Sequence, residues 1–186
     1  MIKLEHVYKS FNQQDVINDF SYQFNDGGLY LIKGKSGSGK TTLLNLILSS
    51  VQPDKGTVTT KDNFSVLFQQ YRLLEKYDIY TNIKAITKTD NKTIYQLGKE
   101  ILDEECFNKP ICELSGGQKQ RVCILRALMA ESDCIVMDEP FNGLDEKMIE
   151  TVTQFILKER KNRTLIISTH QYGSLEELGF ETIEIS

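Results

Sequence analysis

The stretch Gly34-Lys35-Ser36-Gly37-Ser38-Gly39-Lys40-Thr41 decides the fold of this chain. It matches the pattern G-x-x-x-x-G-K-[ST], in which glycines let backbone N–H groups curl around a polyphosphate and the lysine reaches the outer charges. The apolar run Leu29-Tyr30-Leu31-Ile32 precedes it, and residues 41–49 carry leucines at helical spacing. The sequence therefore predicts a strand, a phosphate loop and a helix, with the Thr41 hydroxyl available to Mg²⁺.

Three further apolar runs, at residues 66–68, 135–137 and 165–167, each end on polar residues. Continuous apolar runs are typical of strands that are buried on both faces, as in a parallel sheet. The carboxyl ends of such strands meet at one edge, where open α/β sheets bind their ligands. We therefore expect these polar endings to point toward one nucleotide: Gln69, Asp138, Glu139, Ser168, Thr169 and His170.

The rest of the chain predicts two smaller parts. Apolar and polar residues alternate around Ile2 and Leu4 and again over 20–24, which indicates antiparallel strands with one face in water. Between residues 69 and 115 the sequence is charged and compatible with helix, including a predicted helix over 90–105. The expected fold class is α/β, a single domain over 1–186. It would contain a P-loop NTPase core with a mostly parallel sheet, an N-terminal antiparallel β subdomain and a small helical subdomain inserted at about 70–133.

Composition narrows the possible functions. The chain has 186 residues and a net charge of −4, so it has no basic footprint and sequence-independent nucleic-acid binding is not favoured. Its apolar runs are far shorter than the roughly 20 residues that span a bilayer. The start, Met1-Ile2-Lys3-Leu4-Glu5, does not have the pattern of a signal sequence, so we expect a cytoplasmic protein.

The four cysteines show no C-x-x-C spacing, which favours reduced structural thiols over a metal site: Cys106, Cys112, Cys123 and Cys134.

The segment Leu114-Ser115-Gly116-Gly117-Gln118 predicts the N-terminus of a helix. Apolar positions after it, such as Val122 and Leu125, predict a helix with one buried face. The N–H groups and the positive dipole end of that helix would favour an anion. The alternative is an ordinary helix that Ser115 caps, with no ligand.

These segments in this order resemble the nucleotide-binding subunit of ABC transporters, over about residues 2–186. The segment Leu114 to Gln118, followed by Gln120-Arg121-Val122 and Arg126-Ala127-Leu128, looks like the ABC signature and its helix. The resemblance implies an ATPase that works as a head-to-tail pair, with two ATP molecules sandwiched between subunits. In such a pair Ser115, Gly116, Gly117 and Gln118 face the γ-phosphate held by the other subunit. A kinase or GTPase shares the phosphate loop but does not explain the signature.

The resemblance also assigns roles at the strand ends. Asp138 would hold Mg²⁺ together with Thr41, and Glu139 would be the general base for the attacking water. Gln69 would reach Mg²⁺ or the water and sense the membrane partner, with Gln70 as the alternative. His170 matches the switch histidine that contacts the γ-phosphate, whereas His6 has no such context.

Further positions complete the implied site for ATP and Mg²⁺. Asp145, in Gly143-Leu144-Asp145, resembles the loop that crosses the dimer interface. Phe11 lies where the family places an aromatic that stacks on adenine, although a core position is the alternative. The remaining implied nucleotide contacts are Gly34, Lys35, Ser36, Gly37, Ser38, Gly39, Lys40, Thr41 and Thr42.

The implied function is to power transport through a separate transmembrane permease at the inner face of the membrane. The resemblance also implies a second ATP-binding subunit, and a homodimer is favoured over a heterodimer. Leu73-Leu74 and Thr81-Asn82-Ile83 resemble the small exporters of lipoproteins, macrolides and bacteriocins. The groove at 69–82 is where a partner helix would dock, with Leu73 and Leu74 as its floor or as core residues. The alternatives are an ABC-type ATPase clamp for DNA or ribosomes and a nucleotide-gated scaffold. No C-terminal regulatory domain is expected.

Overall fold

The structure, a computed structural model, describes residues 1–60, 63–170 and 173–185. Ser186, the last residue of the range that resembles the family, lies outside the described residues. The strands are β1 (Ile2–Phe11), β2 (Gln14–Phe24), β3 (Leu29–Lys33), β4 (Lys55–Thr59), β5 (Phe64–Leu67), β6 (Cys134–Asp138), β7 (Thr164–Ser168) and β8 (Glu181–Glu184). The helices are α1 (Lys40–Ile47), α2 (Ile79–Lys84), α3 (Asn91–Gly98), α4 (Gly116–Met129), α5 (Glu146–Glu159) and α6 (Gly173–Glu176). Two 3₁₀ helices, Glu104–Asn108 and Ile111–Glu113, precede α4.

The chain divides into two compact units. The first comprises Met1–Phe64, Ser132–Asp138 and Asn162–Ser186, and the second comprises Ser65–Glu131 and Glu139–Lys161. The second unit therefore contains residues 70–131 of the expected insert and also the segment that follows β6, including α5.

The N-terminal sheet has the strand order β2-β1-β4 and is antiparallel. Ile2 pairs with Phe24 and Leu4 with Tyr22, so the predicted alternation of apolar and polar residues is confirmed. Strand β4 was not predicted, because its sequence, Lys-Gly-Thr-Val-Thr, is mostly exposed and has no apolar alternation.

The larger sheet has the strand order β5-β6-β7-β3-β8. The pairs β6–β7, β7–β3 and β3–β8 are parallel, as expected from the continuous apolar runs. Every residue of β6 and β7 is buried. The apolar side chains of α1, which include Leu43 and Ile47, pack into the core formed by β1, β3 and β6. This packing fixes the loop between β3 and α1.

The predicted helix over 90–105 is wrong in length, because α3 ends at Gly98. Glycine is a poor helix former, and after Gly98 the chain tightens into a turn in which the Glu100 N–H bonds the Leu97 carbonyl and the Ile101 N–H bonds the Gly98 carbonyl. Ile101 and Leu102 are nevertheless buried, as the apolar pattern indicated. The pattern predicted burial correctly but not the backbone conformation.

Among the described residues, no helix has the length and apolar character needed to cross a membrane. Cys106, Cys123 and Cys134 are buried and Cys112 is exposed. The Cys123 thiol donates a hydrogen bond to the Tyr71 carbonyl at 3.2 Å, and burial raises its pKa to about 12.

Candidate nucleotide site

The phosphate loop joins the end of β3 to the start of α1 in the first unit. Gly39 precedes the helix with φ = 100°, in the left-handed region that a residue with a β-carbon rarely adopts. Lys40 is buried, and its ammonium group donates to the carbonyl oxygens of Gly34 at 2.9 Å and Lys35 at 3.2 Å. The loop therefore folds around the lysine ammonium group.

Ser38 supplies a polar side chain to this loop. Its hydroxyl oxygen is buried and has no hydrogen-bond partner within the described residues. Buried polar groups are nearly always hydrogen-bonded in folded proteins. A phosphate oxygen in the loop would satisfy this hydroxyl, whereas Lys35, Ser36 and Gly37 at the loop tip are exposed.

Asp138 is the centre of a small polar cluster at the end of β6. Thr41 Oγ1 donates to Asp138 Oδ2 at 2.9 Å, and Ser168 Oγ donates to Oδ1. Asp138 and Ser168 are direct partners in the β6–β7 register. A buried carboxylate beside a hydroxyl offers the oxygen ligands that Mg²⁺ prefers, so these residues fit the predicted metal site. The sequence placed Ser168 at the strand end but did not assign it a role.

Phe11 and His170 are predicted residues of the first unit that lie at strand ends and are exposed. The Phe11 ring, at the end of β1, is 46% exposed, and Lys9 Nζ lies 5.3 Å from its centroid. This exposure disfavours the alternative of a core aromatic. His170 follows β7 and is exposed, whereas the preceding Thr169 is fully buried.

The signature segment lies at the start of α4 in the second unit. The Ser115 hydroxyl accepts from the Gln118 N–H at 3.2 Å, and Gln118 Oε1 accepts from the Ser115 N–H at 2.8 Å. These reciprocal bonds form a capping box. The capped helix that formed the alternative is therefore present. A hydroxyl that accepts one hydrogen bond still has a proton to donate, and Ser115 and Gly116 are exposed.

Gly117 and Gln120 face the segment that follows β6. A β-carbon at Gly117 would lie 2.9 Å from the Gly143 carbonyl oxygen. Gln120 Nε2 donates to the carbonyl oxygens of Glu139 at 3.2 Å and Pro140 at 2.8 Å. Glu139 is partly buried and has φ = 51°. The sequence did not identify this link between α4 and Glu139.

Gln69 follows β5 and is exposed. Two residues later, Tyr71 is hydrogen-bonded to α4. The Tyr71 carbonyl accepts from Arg126 Nη2 at 3.0 Å, and the Tyr71 hydroxyl donates to the Gly116 carbonyl at 3.2 Å. Gln69 and Gln70 are both exposed, so exposure does not separate the two alternatives. Asp145 accepts from the Met148 N–H at 2.9 Å and caps α5.

The predicted site residues thus fall into two sets. The first unit brings together the phosphate loop, Thr41 and Asp138, and also holds Phe11 and His170. The second unit brings together Glu139 and the signature helix, and also holds Gln69 and Asp145.

Comparison with known proteins agrees with this geometry. A family model described as ABC transporter matches residues 17–142, from β2 to just after β6. The chain belongs to the ABC transporter family. Its place in that family is that of the ATP-binding subunit, an ATPase, and the prediction of fold and activity from the motifs is confirmed.

Relatives in the ABC transporter family match nearly the whole chain. It is 34% identical to the lipoprotein-releasing system ATP-binding protein LolD of Bacteroides thetaiotaomicron, over 93% of this chain and 91% of that protein. It is 32% identical to the arginine transport ATP-binding protein ArtM of Bacillus subtilis, over 96% and 84%. A dimeric ATP-binding cassette solved in a post-hydrolysis state with ADP and Pi has a TM-score of 0.87 and 25% identity, covering 100% of this chain and 94% of that one.

Proposed function

We propose that this chain drives transport through a separate transmembrane permease, by binding and hydrolysing MgATP as one half of a head-to-tail pair. The observation that carries the catalytic part is the Thr41–Asp138–Ser168 cluster beside the phosphate loop. It is supported by the buried Ser38 hydroxyl, which has no hydrogen-bond partner among the residues that the structure describes, and by the buried Lys40 ammonium at the start of α1.

Each residue has a proposed task. Lys40 and the loop N–H groups bind the phosphates, Phe11 stacks on the adenine, and Glu139 takes the proton of the attacking water. Thr41, Asp138 and Gln69 would hold Mg²⁺, which neutralises charge on the β- and γ-phosphates when bound. His170 orients the γ-phosphate. In the pair, Asp145 and the signature of each subunit face the nucleotide that is bound by the other subunit. The signature residues are Ser115, Gly116, Gly117 and Gln118.

An exposed apolar turn supports a membrane partner. Leu74 is 46% and Tyr77 55% exposed, and the Tyr77 N–H donates to the Leu74 carbonyl at 3.0 Å. Asn82, which is buried, bonds both the N–H and the carbonyl of Leu74, at 2.7 and 3.2 Å. The turn therefore presents large apolar side chains from a fixed backbone, as a docking surface requires. Leu73, in contrast, is partly buried.

The identity to LolD, together with residues 73–74 and 81–83, supports the small-exporter type within this proposal. The subunit would then lie at the inner face of the membrane through its permease, with an identical subunit as its partner in the pair.

The test is capture of tagged Glu139→Gln protein from detergent-solubilised host membranes with ATP and Mg²⁺, followed by mass spectrometry. We expect a stoichiometric protein with several membrane spans. Leu74→Asp in the same background should lose this protein, whereas Thr57→Asp, on the exposed strand β4 of the other unit, should retain it. Recovery of nucleic acid, of ribosomes or of chains without membrane spans would replace the transport proposal with a clamp or scaffold.

A further inference from the structure

We propose that Gln120 is a positioning residue for ATP hydrolysis, because its side-chain amide fixes the backbone that carries Glu139. The inference rests on the proposed function, in which Glu139 is the general base. Gln120 is only 2% exposed, and one –NH₂ group bonds two consecutive carbonyl oxygens, those of Glu139 and Pro140. A primary amide has two N–H donors, so a single side chain can make both bonds.

The backbone that Gln120 bonds is in a disfavoured conformation. Glu139 has φ = 51°, and a positive φ brings the β-carbon of an L-residue close to the carbonyl group of the preceding residue. Such a conformation persists only where the surrounding structure imposes it. Pro140 follows, and a proline disfavours the right-handed helical region for the residue before it. The competing conformation of Glu139 is therefore extended, and a change to it would reorient the carboxylate.

The bonds from Gln120 favour the observed conformation. The Glu139 carbonyl oxygen receives Gln120 Nε2 at 3.2 Å and the Asn142 N–H at 3.4 Å, and the Pro140 oxygen receives the second, shorter bond from Gln120. Rotation of the Glu139 backbone would turn its carbonyl away from both donors. Because Gln120 is buried, water would not readily replace the lost partners.

Gln120 also connects the base to the signature. It lies three residues after Gly117, so the two positions share one face of α4. On that face Gly117 packs against the Gly143 carbonyl, with only 2.9 Å to a hypothetical β-carbon. The segment 139–143 is thus held at both ends by the helix that begins with the signature. Displacement of α4 would move the backbone of the base.

The test compares single-turnover ATP hydrolysis by the purified chain and by the variant Gln120→Met, which keeps an unbranched side chain but removes both donors. We expect the hydrolysis rate to fall about 10-fold to 100-fold, because a misplaced catalytic group loses rate on this scale. ATP affinity should stay within about twofold, since Gln120 does not belong to the phosphate loop. Thr153→Val is the matched control, because the buried Thr153 hydroxyl of the same unit has no hydrogen-bond partner in the described structure. It should leave the rate unchanged.

A double variant separates positioning from a general loss of structure. If Gln120 acts through Glu139, adding Gln120→Met to Glu139→Gln should cause no further loss of rate. An equal loss in both backgrounds would overturn the proposal. If Glu139→Gln itself keeps the wild-type rate, Glu139 is not the general base and the proposed function fails. If only Gln120→Met keeps the wild-type rate, the positioning role of Gln120 fails and the proposed function stands.

A measurement without turnover tests the geometry directly. Hydrogen exchange of the amides at 141–144 should be faster in Gln120→Met than in the wild type or Thr153→Val, because the Asn142 N–H bonds the carbonyl that Gln120 holds. Unchanged exchange in a folded Gln120→Met protein would overturn the proposal. Gln120→Leu, which also removes both donors, should reproduce the faster exchange and serves if the methionine variant does not fold.

Discussion

At the scale of single residues, Gly117 gives the sharpest test of packing. A β-carbon there would lie 2.9 Å from the Gly143 carbonyl oxygen and 3.4 Å from Leu144 Cδ2. Since the closest of these atoms belongs to the backbone, Gly117→Ala must shift α4 or the segment after β6. We expect it to lower the free energy of unfolding by about 1–3 kcal/mol, measured by urea denaturation.

The neighbouring residue provides the control. A β-carbon at Gly116 would lie 3.4 Å from the Tyr71 hydroxyl, close to ordinary contact distance, and alanine favours helix over glycine. Gly116→Ala should therefore leave the free energy of unfolding within about 0.5 kcal/mol of wild type. Equal losses in the two variants would contradict the packing argument.

Residues that belong to short local patterns were predictable from the sequence. Lys40 and Thr41 follow from the spacing of the glycine loop, and Asp138 from its place after an apolar run. Gln120 and Ser168 were not assigned, because their partners lie 19 and 30 residues away along the chain. Those contacts depend on strand register and on how α4 packs, which one sequence does not specify.

At the scale of elements, Asp54, the residue directly before β4, is hydrogen-bonded to strand β1. Its carboxylate accepts from Lys9 Nζ and from the Ser10 N–H, both at 2.7 Å. The Lys9 bond, and next the Ser10 bond, hold the pKa of Asp54 below its ordinary value. A carboxyl whose pKa is lower in the folded state stabilises the fold above about pH 4 and loses that contribution as the pH falls through the folded-state pKa.

We expect the free energy of unfolding of Asp54→Asn to decrease less between pH 7 and pH 3 than that of the wild type. Below about pH 4 the wild type loses the Asp54 contribution, which the variant lacks at every pH. Urea denaturation between pH 7 and pH 3 measures the difference. Lys9→Met should reproduce part of the effect, because the Ser10 N–H still lowers the pKa. An Asp54→Asn protein that kept the full acid slope would show that this contact does not contribute.

Elements with a continuous apolar run were predictable, and those without one were not. Strands β3, β6 and β7 follow from their runs, because burial on both faces requires apolar residues throughout. Strand β4 is mostly polar, so hydrogen bonds to β1 rather than burial define it. Helix α3 ends at Gly98, whereas buried apolar residues continue to Ile101 and Leu102, so periodicity alone did not locate the end.

At the scale of the whole molecule, pairing should depend on ATP. Glu139→Gln should lower turnover roughly 10²-fold, the scale of a lost general base, and hold ATP intact. The exposed signature residues Ser115 and Gly116 are then available to a second subunit. We expect light scattering to show a dimer with ATP and Mg²⁺. Adding Lys40→Ala, which removes the phosphate-binding cation, should restore the monomer. A monomer in Glu139→Gln with bound ATP would instead favour a different ATPase chain as partner.

The division of the chain was only partly foreseeable. The sequence predicted an insert at about 70–133 by its change in composition, whereas the second compact unit also includes Glu139–Lys161. Helix α5 joins that unit through contacts with α4, although β6 lies between them in sequence. Composition marks where a pattern changes, but it does not reveal which distant segments pack together.

The distribution of thiols makes this chain convenient for fluorescence work. Burial raises the pKa of Cys106 and Cys123, so neither forms the reactive thiolate readily, and Cys134 is also buried. The exposed Cys112 stands three residues before Ser115. A maleimide dye on the native protein would attach there, and its emission could follow the docking of a second subunit in real time without any engineered cysteine.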